Sequence, residues 1–186
     1  MMYPIDELIE YILWLDAFTF ELILELRSPV LTNVLNSLTG LGSVAAGFVF
    51  VGLFYLAGWR EEFLVTLIAL SITGVVVALL MATIQRPYPP EPVCITDGAG
   101  TPTTSFPSGH AAAFAAYAMV ARRSDTLPFK TVSALAVLVA FSRIYLGVHY
   151  VSDTVFGIAL GIASALIAKR IRGRIGSETL TQKFSQ

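Results

Sequence analysis

The amino-acid sequence predicts an all-α integral membrane protein: a bundle of five to six transmembrane helices with an N-terminal amphipathic helix. Three observations carry this expectation. The 186 residues are 55% hydrophobic and only 13% charged, with a mean hydropathy of +0.73, whereas soluble domains run to about 25% charged residues. Five segments approach the roughly 20 apolar residues that a bilayer crossing needs. The first 26 residues, by contrast, break their apolar pattern with acidic side chains at helical spacing. So much apolar surface must face lipid. A net charge of −1 gives no reason to expect nucleic acid as a partner, and the single Cys94 excludes an internal disulfide and a cysteine-rich metal site. The first residues are acidic rather than basic, and no small-residue cleavage site follows a short apolar core, so no cleavable leader is expected.

The chain divides into an N-terminal amphipathic segment at 1–37, a transmembrane core at 38–170 and a cytoplasmic tail at 171–186. Projected at 100° per residue, residues 5–26 place Asp6, Glu7, Glu10, Glu21 and Glu25 in one narrow stripe, with Asp16 off it. A lipid-exposed span would not tolerate that stripe. The helix therefore lies at the interface, which is the favoured reading, or crosses with its stripe buried against the bundle. The five expected spans are 38–57, 63–84, 105–121, 129–148 and 151–168. Gly74 and Gly147 inside spans suggest close helix approach. Gly157 and Gly161, with Ala165 one step on, form a small-residue packing face. Residues 177–186 read as a disordered tail.

Basic residues give the orientation. With the C-terminus in the cytoplasm, Arg60, Arg122, Arg123, Lys130, Lys169, Arg170, Arg172, Arg174 and Lys183 fall inside, against Arg27, Arg86 and Arg143 outside. The polar exceptions within the apolar sequence then gather at the outer face. Arg86 follows the second span, Ser108, Gly109 and His110 open the third, Arg143 lies near the end of the fourth, and His149 and Asp153 begin the fifth. Charged groups at membrane depth are costly and are retained for function.

Each residue type suits an anion site. Arg86 and Arg143 supply forked donors matched to phosphate oxygens. Ser108 is suited to cap a helix whose first amides attract anions, and Gly109 lets the anion approach closely. His149 and Asp153, spaced i, i+4, share a helix face, so the carboxylate can hold one imidazole nitrogen protonated and leave the other free to attack. One histidine then attacks phosphorus and the other protonates the leaving oxygen, while the arginines stabilise the equatorial oxygens. Arg143 could instead pair with Asp153. Two histidines and a carboxylate also match an iron triad, but two adjacent arginines would repel a divalent cation. Neither metal nor cofactor is expected.

The pieces Arg86-Pro87, Pro107 to His110, and "SRIYLGVHYVSD" from Ser142 to Asp153 resemble the three-part signature of the type 2 phosphatidic acid phosphatase superfamily. The resemblance covers residues 38–168. It implies a metal-independent phosphatase of lipid phosphates or diphosphates, with His149 as nucleophile, Asp153 as its orienter and His110 as general acid. Arg86, Ser108, Gly109 and Arg143 would bind phosphate. The small core is similar to polyprenyl-diphosphate phosphatases. The implied partners are a lipid phosphate substrate and the bilayer of the cell membrane, and nothing in the pattern specifies an oligomeric state. The family pattern carries a lysine seven residues before its arginine, where this chain has Leu79. That departure leaves room for a phosphotransferase using the same phosphohistidine, or for a non-catalytic lipid-binding or transport protein. The loop 88–104 is placed to act as a lid.

Overall fold

A computed structural model describes residues 4–93 and 104–184. The described residues form seven helices and no strand: α1 (Pro4–Leu26), α2 (Pro29–Thr39), α3 (Val44–Leu56), α4 (Arg60–Ile84), α5 (Gly109–Ala121), α6 (Phe129–Tyr145) and α7 (Val151–Phe184). The all-α expectation holds. Most of the lid expected at 88–104 lies outside the described residues.

The centre of the bundle is α5, packed against α4, α6 and α7. Its sequence explains this. Alanine at positions 111, 112, 115, 116 and 121 keeps the helix narrow on every side, and each is buried. The glycine face of α7 lies against it, as the small-residue spacing predicts. A side chain at Gly157 would strike the carbonyl of Ser108, and one at Gly161 the carbonyl of Ala112. The contact continues through Ala165 and Ala168, which join Val65, Ala69, Ala116 and Val120 in one buried cluster.

Four expectations are corrected. The first span, placed at 38–57, is two helices bent by 56°. Gly40–Gly42 forms a single 3-10 turn between them, and the Ser43 hydroxyl caps α3 by accepting from the Ala46 amide. Two glycines and a capping serine favour a break over helix continuity. Among the described residues two helices are long and apolar enough to cross a membrane, Arg60–Ile84 and the Val151–Ile175 part of α7, or three if the bent pair is one span. Second, Gly147 is closely approached not by a helix but by the Arg27 side chain, which a Cβ there would strike at 2.5 Å. It follows α6 with φ +68, and that left-handed turn, costly for other residues, brings the Val148 and His149 amides back to the Arg143 carbonyl. Third, Gly74 approaches no other helix closely, since a side chain there would meet nothing within 4 Å. Fourth, the backbone at 177–184, expected to be disordered, continues α7. No proline interrupts it there.

The N-terminal helix is held differently from the rest. Its acidic stripe, Asp6, Glu7, Glu10, Glu21 and Glu25, is exposed, whereas Asp16 is buried. Burial of the stripe against the bundle is therefore not observed. Asp16 meets the start of α7. Arg27, just past α1, donates to the carbonyls of Tyr145 at 3.3 Å and Glu91 at 2.9 Å. Both anchors lie at the end of the bundle where α6 finishes and α7 begins. The anchors stand 11 positions apart, about 16 Å of helix, so the second half of α1 lies across that end rather than alongside the bundle.

Candidate active site

All seven residues singled out in the sequence meet at this same end. The local folding of each follows from its neighbours. Arg86 leaves α4 through Gln85, which ends the helix in the left-handed region. Ser108 caps α5, its hydroxyl accepting from the Ala111 amide at 3.4 Å. The Ser108 amide donates to the Asp153 carbonyl at 3.1 Å, which ties the mouth of α5 to α7. That bond occupies the amide of Ser108 itself, at the helix mouth. Gly109 and His110, in the first turn of α5, keep the amides that have no acceptor within their own helix.

His149 sits in the short link between α6 and α7 and is 5% exposed. Its Nδ1 is hydrogen-bonded to the backbone carbonyl of Ser105. An acceptor there fixes the proton on Nδ1 and leaves Nε2 with its lone pair. The sequence reading gave this orienting role to Asp153. Its carboxylate oxygen stands 4.0 Å from Nδ1, beyond hydrogen-bond reach, and instead accepts from the Tyr150 amide at 2.9 Å. Burial is the largest influence on the imidazole and holds its pKa down, to about 3, with the Arg143 and His110 charges acting the same way and the Ser105 bond opposing them. His149 is therefore neutral.

The two arginines divide the site between them. Arg143, buried in the last turn of α6, donates from Nη1 to the Thr39 hydroxyl at 2.8 Å, and its charge reaches both His110 and His149. Arg86, not Arg143, is the partner of Asp153. Arg86 Nη1 also donates to the Ser152 hydroxyl at 2.7 Å, and Nη2 to Asp16 at 2.7 Å. The Tyr150 ring lies 4.0 Å from the guanidinium carbon. In this structure the Arg86 donors thus hold carboxylates.

Five contributors escaped the sequence reading. Ser105 joins two parts of the site: it receives His149 on its carbonyl, while its amide donates to the Arg86 carbonyl at 2.7 Å and its hydroxyl to the Pro87 carbonyl at 3.1 Å. Thr39 and Ser152 are polar residues at helix ends and gave no signal of their own. Gly42 makes room for His110, since a Cβ there would stand 2.8 Å from the imidazole ring. Asp16 did carry a signal, because it is the acidic residue that stands off the stripe. Leu79, in the place of the family lysine, is 61% exposed on α4.

Beside the charged cluster runs an apolar groove of about 390 Å³ between α3, α4 and α5. His110 and Gly109 close one end, and Leu70, Val77, Met81 and Tyr117 form part of its wall. Val44 and Phe48, which are 79% and 74% exposed, form an outer part of its wall. Gly74 also lines it, and its missing side chain leaves the groove wide.

Comparison with known proteins gives a consistent result. The PAP2 superfamily profile matches residues 62–177. The chain is 36% identical over 115 residues to the decaprenylphosphoryl-5-phosphoribose phosphatase of Mycobacterium tuberculosis, a match over 61% of this chain and 63% of that protein's length. It therefore spans somewhat less than two thirds of that relative. It is 28% identical over 163 residues to phosphatidylglycerophosphatase B of Bacillus subtilis, covering 77% of this chain and 76% of that one. The crystal structure of Aquifex aeolicus LpxE superposes with a TM-score of 0.69 at 27% identity, over 81% of this chain and 92% of that one. The crystal structure of a transmembrane PAP2-type phosphatidylglycerolphosphate phosphatase from Bacillus subtilis gives 0.71 over 94% of this chain and 98% of that one, and at 24% identity it speaks for the fold alone.

Proposed function

The chain belongs to the PAP2 superfamily, and from that premise we propose that it is a membrane phosphatase that hydrolyses a lipid phosphate or diphosphate, with a polyprenyl diphosphate as the preferred substrate class. One observation carries the reading: His110 is at once a member of the charged cluster and part of the wall of the apolar groove. A substrate that fills both must have a phosphorylated head and a hydrocarbon tail. The decaprenyl-linked substrate named for the mycobacterial relative favours the polyprenyl class.

The chemistry follows from the tautomer. Nε2 of His149 attacks phosphorus, and the bond from phosphorus to the leaving oxygen breaks as His110 gives that oxygen a proton. Water then attacks the phosphohistidine, with His110 taking its proton, and inorganic phosphate leaves. Arg143 and the Gly109 and His110 amides stabilise charge on the equatorial oxygens. No step calls for a metal. The site faces the extracytoplasmic side of the cell membrane and the C-terminus the cytoplasm, a placement supported by the nine-to-three division of basic residues. Residues 1–37 are an interfacial segment on that outer side, 38–170 the catalytic core, and 171–186 a cytoplasmic tail; the exposed acidic stripe supports the first of these.

Phosphate release from a panel of lipid mono- and diphosphates, by wild type and by His149→Ala, tests the proposal. Wild type should release phosphate in the presence of EDTA. His149→Ala should lose at least about a thousandfold of that rate while melting normally in detergent. Wild-type rates in the variant would remove the nucleophile assignment. Transfer of the phosphate to an added acceptor alcohol, with little free phosphate, would make the protein a phosphotransferase.

A further inference from the structure

We infer that Asp16, on α1, is a positioning residue of the phosphate site: it clamps the Arg86 guanidinium against the first turn of α7, beside Asp153 and His149. The inference rests on the phosphatase reading above.

Asp16 is 3% exposed, and a buried carboxylate is stable only with charged or hydrogen-bonding partners. It has three. Oδ2 accepts from Arg86 Nη2 at 2.7 Å and from the Ser152 hydroxyl, and Oδ1 accepts from the Ser152 amide at 3.0 Å. The last of these belongs to the first turn of α7, where the helix dipole also favours a negative charge. Ser152 is bound twice, since its hydroxyl accepts from Arg86 Nη1 at 2.7 Å. Asp16, Arg86 and Ser152 therefore form a closed ring of charge-assisted bonds, with Asp153 attached to it through Arg86 and the Tyr150 ring covering one face of the guanidinium.

The ring decides which edge of Arg86 is presented. A guanidinium has five donor hydrogens. Two from Nη1 go to Ser152 and Asp153, and one from Nη2 goes to Asp16. Nε and the second Nη2 hydrogen are the donors a phosphate oxygen can meet. Asp16 thus fixes the guanidinium in rotation while Asp153 fixes it in position. The other acidic residues of α1 are exposed on the opposite side of the helix, so the side chain that faces the site is the one placed apart from the rest.

The experiment uses the full-length protein in detergent and compares wild type, Asp16→Asn, Arg86→Lys and the double variant. Inhibition by orthovanadate, KM and kcat on a lipid phosphate, and the melting temperature are measured for each. Asp16→Asn keeps the size and loses the charge. It should raise KM and the vanadate inhibition constant on the order of tenfold, the loss of one charge-assisted hydrogen bond, with a smaller change in kcat. In the Arg86→Lys background Asp16→Asn should add nothing further, and Asp16→Glu should restore part of the wild-type KM. If Asp16→Asn fails to fold, Ser152→Ala opens the same ring and should shift KM the same way by less. A lower melting temperature with unchanged KM and vanadate inhibition would overturn the inference, and so would tighter vanadate inhibition, which would make Asp16 a competitor of the phosphate. Inactive wild type would instead overturn the phosphatase reading, and the inference with it.

Discussion

Helices α5 and α1 each bring one ionisable side chain to the same end of the bundle, His110 and Asp16, and they are held there by opposite means. Packing holds α5. Eight of its thirteen residues are buried, and its backbone is seated directly on the glycines of α7. Polar bonds at two points hold α1, through Asp16 and Arg27, with Ile23 the buried apolar contact between them. A helix seated by its backbone moves only if its neighbour moves. A helix tethered by a few hydrogen bonds can be released without disturbing the core. The acid–base group of the proposed reaction is therefore on the seated helix, and the positioning group is on the tethered one.

Substitutions at the two helices should separate these cases. His110→Ala is expected to have the largest effect on turnover, a loss of about 10²–10⁴, with less loss on substrates whose leaving group needs no proton; equal losses on both would remove the general-acid role. Gly161→Ala comes next. Its methyl would strike the Ala112 carbonyl, and overpacking of this kind costs about 1–3 kcal/mol. Thermal melting in detergent should show that loss, and an unchanged melting temperature would mean that the α5–α7 seat is looser than described. Arg27→Ala removes two bonds to backbone carbonyls at the end of α1. It should cost about 1 kcal/mol, seen as faster proteolysis or hydrogen exchange of α1 with core melting unchanged. A drop in core melting as large as that of Gly161→Ala would erase the distinction between the helices. Leu79→Lys should have the smallest effect. The position is exposed on α4, so vanadate inhibition should change little, and a clear tightening would show that a charge there does reach the site.

The sequence made the candidate site readable because its members lie in short, closely spaced pieces. Arg86 and Pro87, Pro107 to His110, and Ser142 to Asp153 each carry their relation to one another in the spacing alone. What joins one piece to another was not readable. The partner of His149 Nδ1 is the Ser105 carbonyl, and a backbone group leaves no mark in composition. Asp153 stands at the right spacing to orient His149, yet its oxygens are drawn to Arg86 and the Tyr150 amide, a competition that only the fold reveals. The partner of Arg143, Thr39, lies 104 residues away. The bend in the first span was hidden by averaging: the segment is apolar enough throughout, and only Gly40, Gly42 and Ser43 betray the break. Gly147 shows the reverse error. A glycine within an apolar run reads as a helix-packing contact, and here it serves a turn that aims the next two amides and leaves room for the Arg27 side chain.

The length of α7 has a consequence of its own. Its 34 residues extend about 51 Å, while the hydrocarbon layer is about 30 Å thick. With Asp153 near one tip, roughly two fifths of this rod has to stand beyond the lipid on the far side, with Lys169, Arg170 and Arg172 close to that headgroup layer. A single unbroken strut therefore runs from beyond the lipid to the end of the bundle where Asp153 and His149 lie, and a tilt imposed at its distal end would be felt there, undamped by any joint.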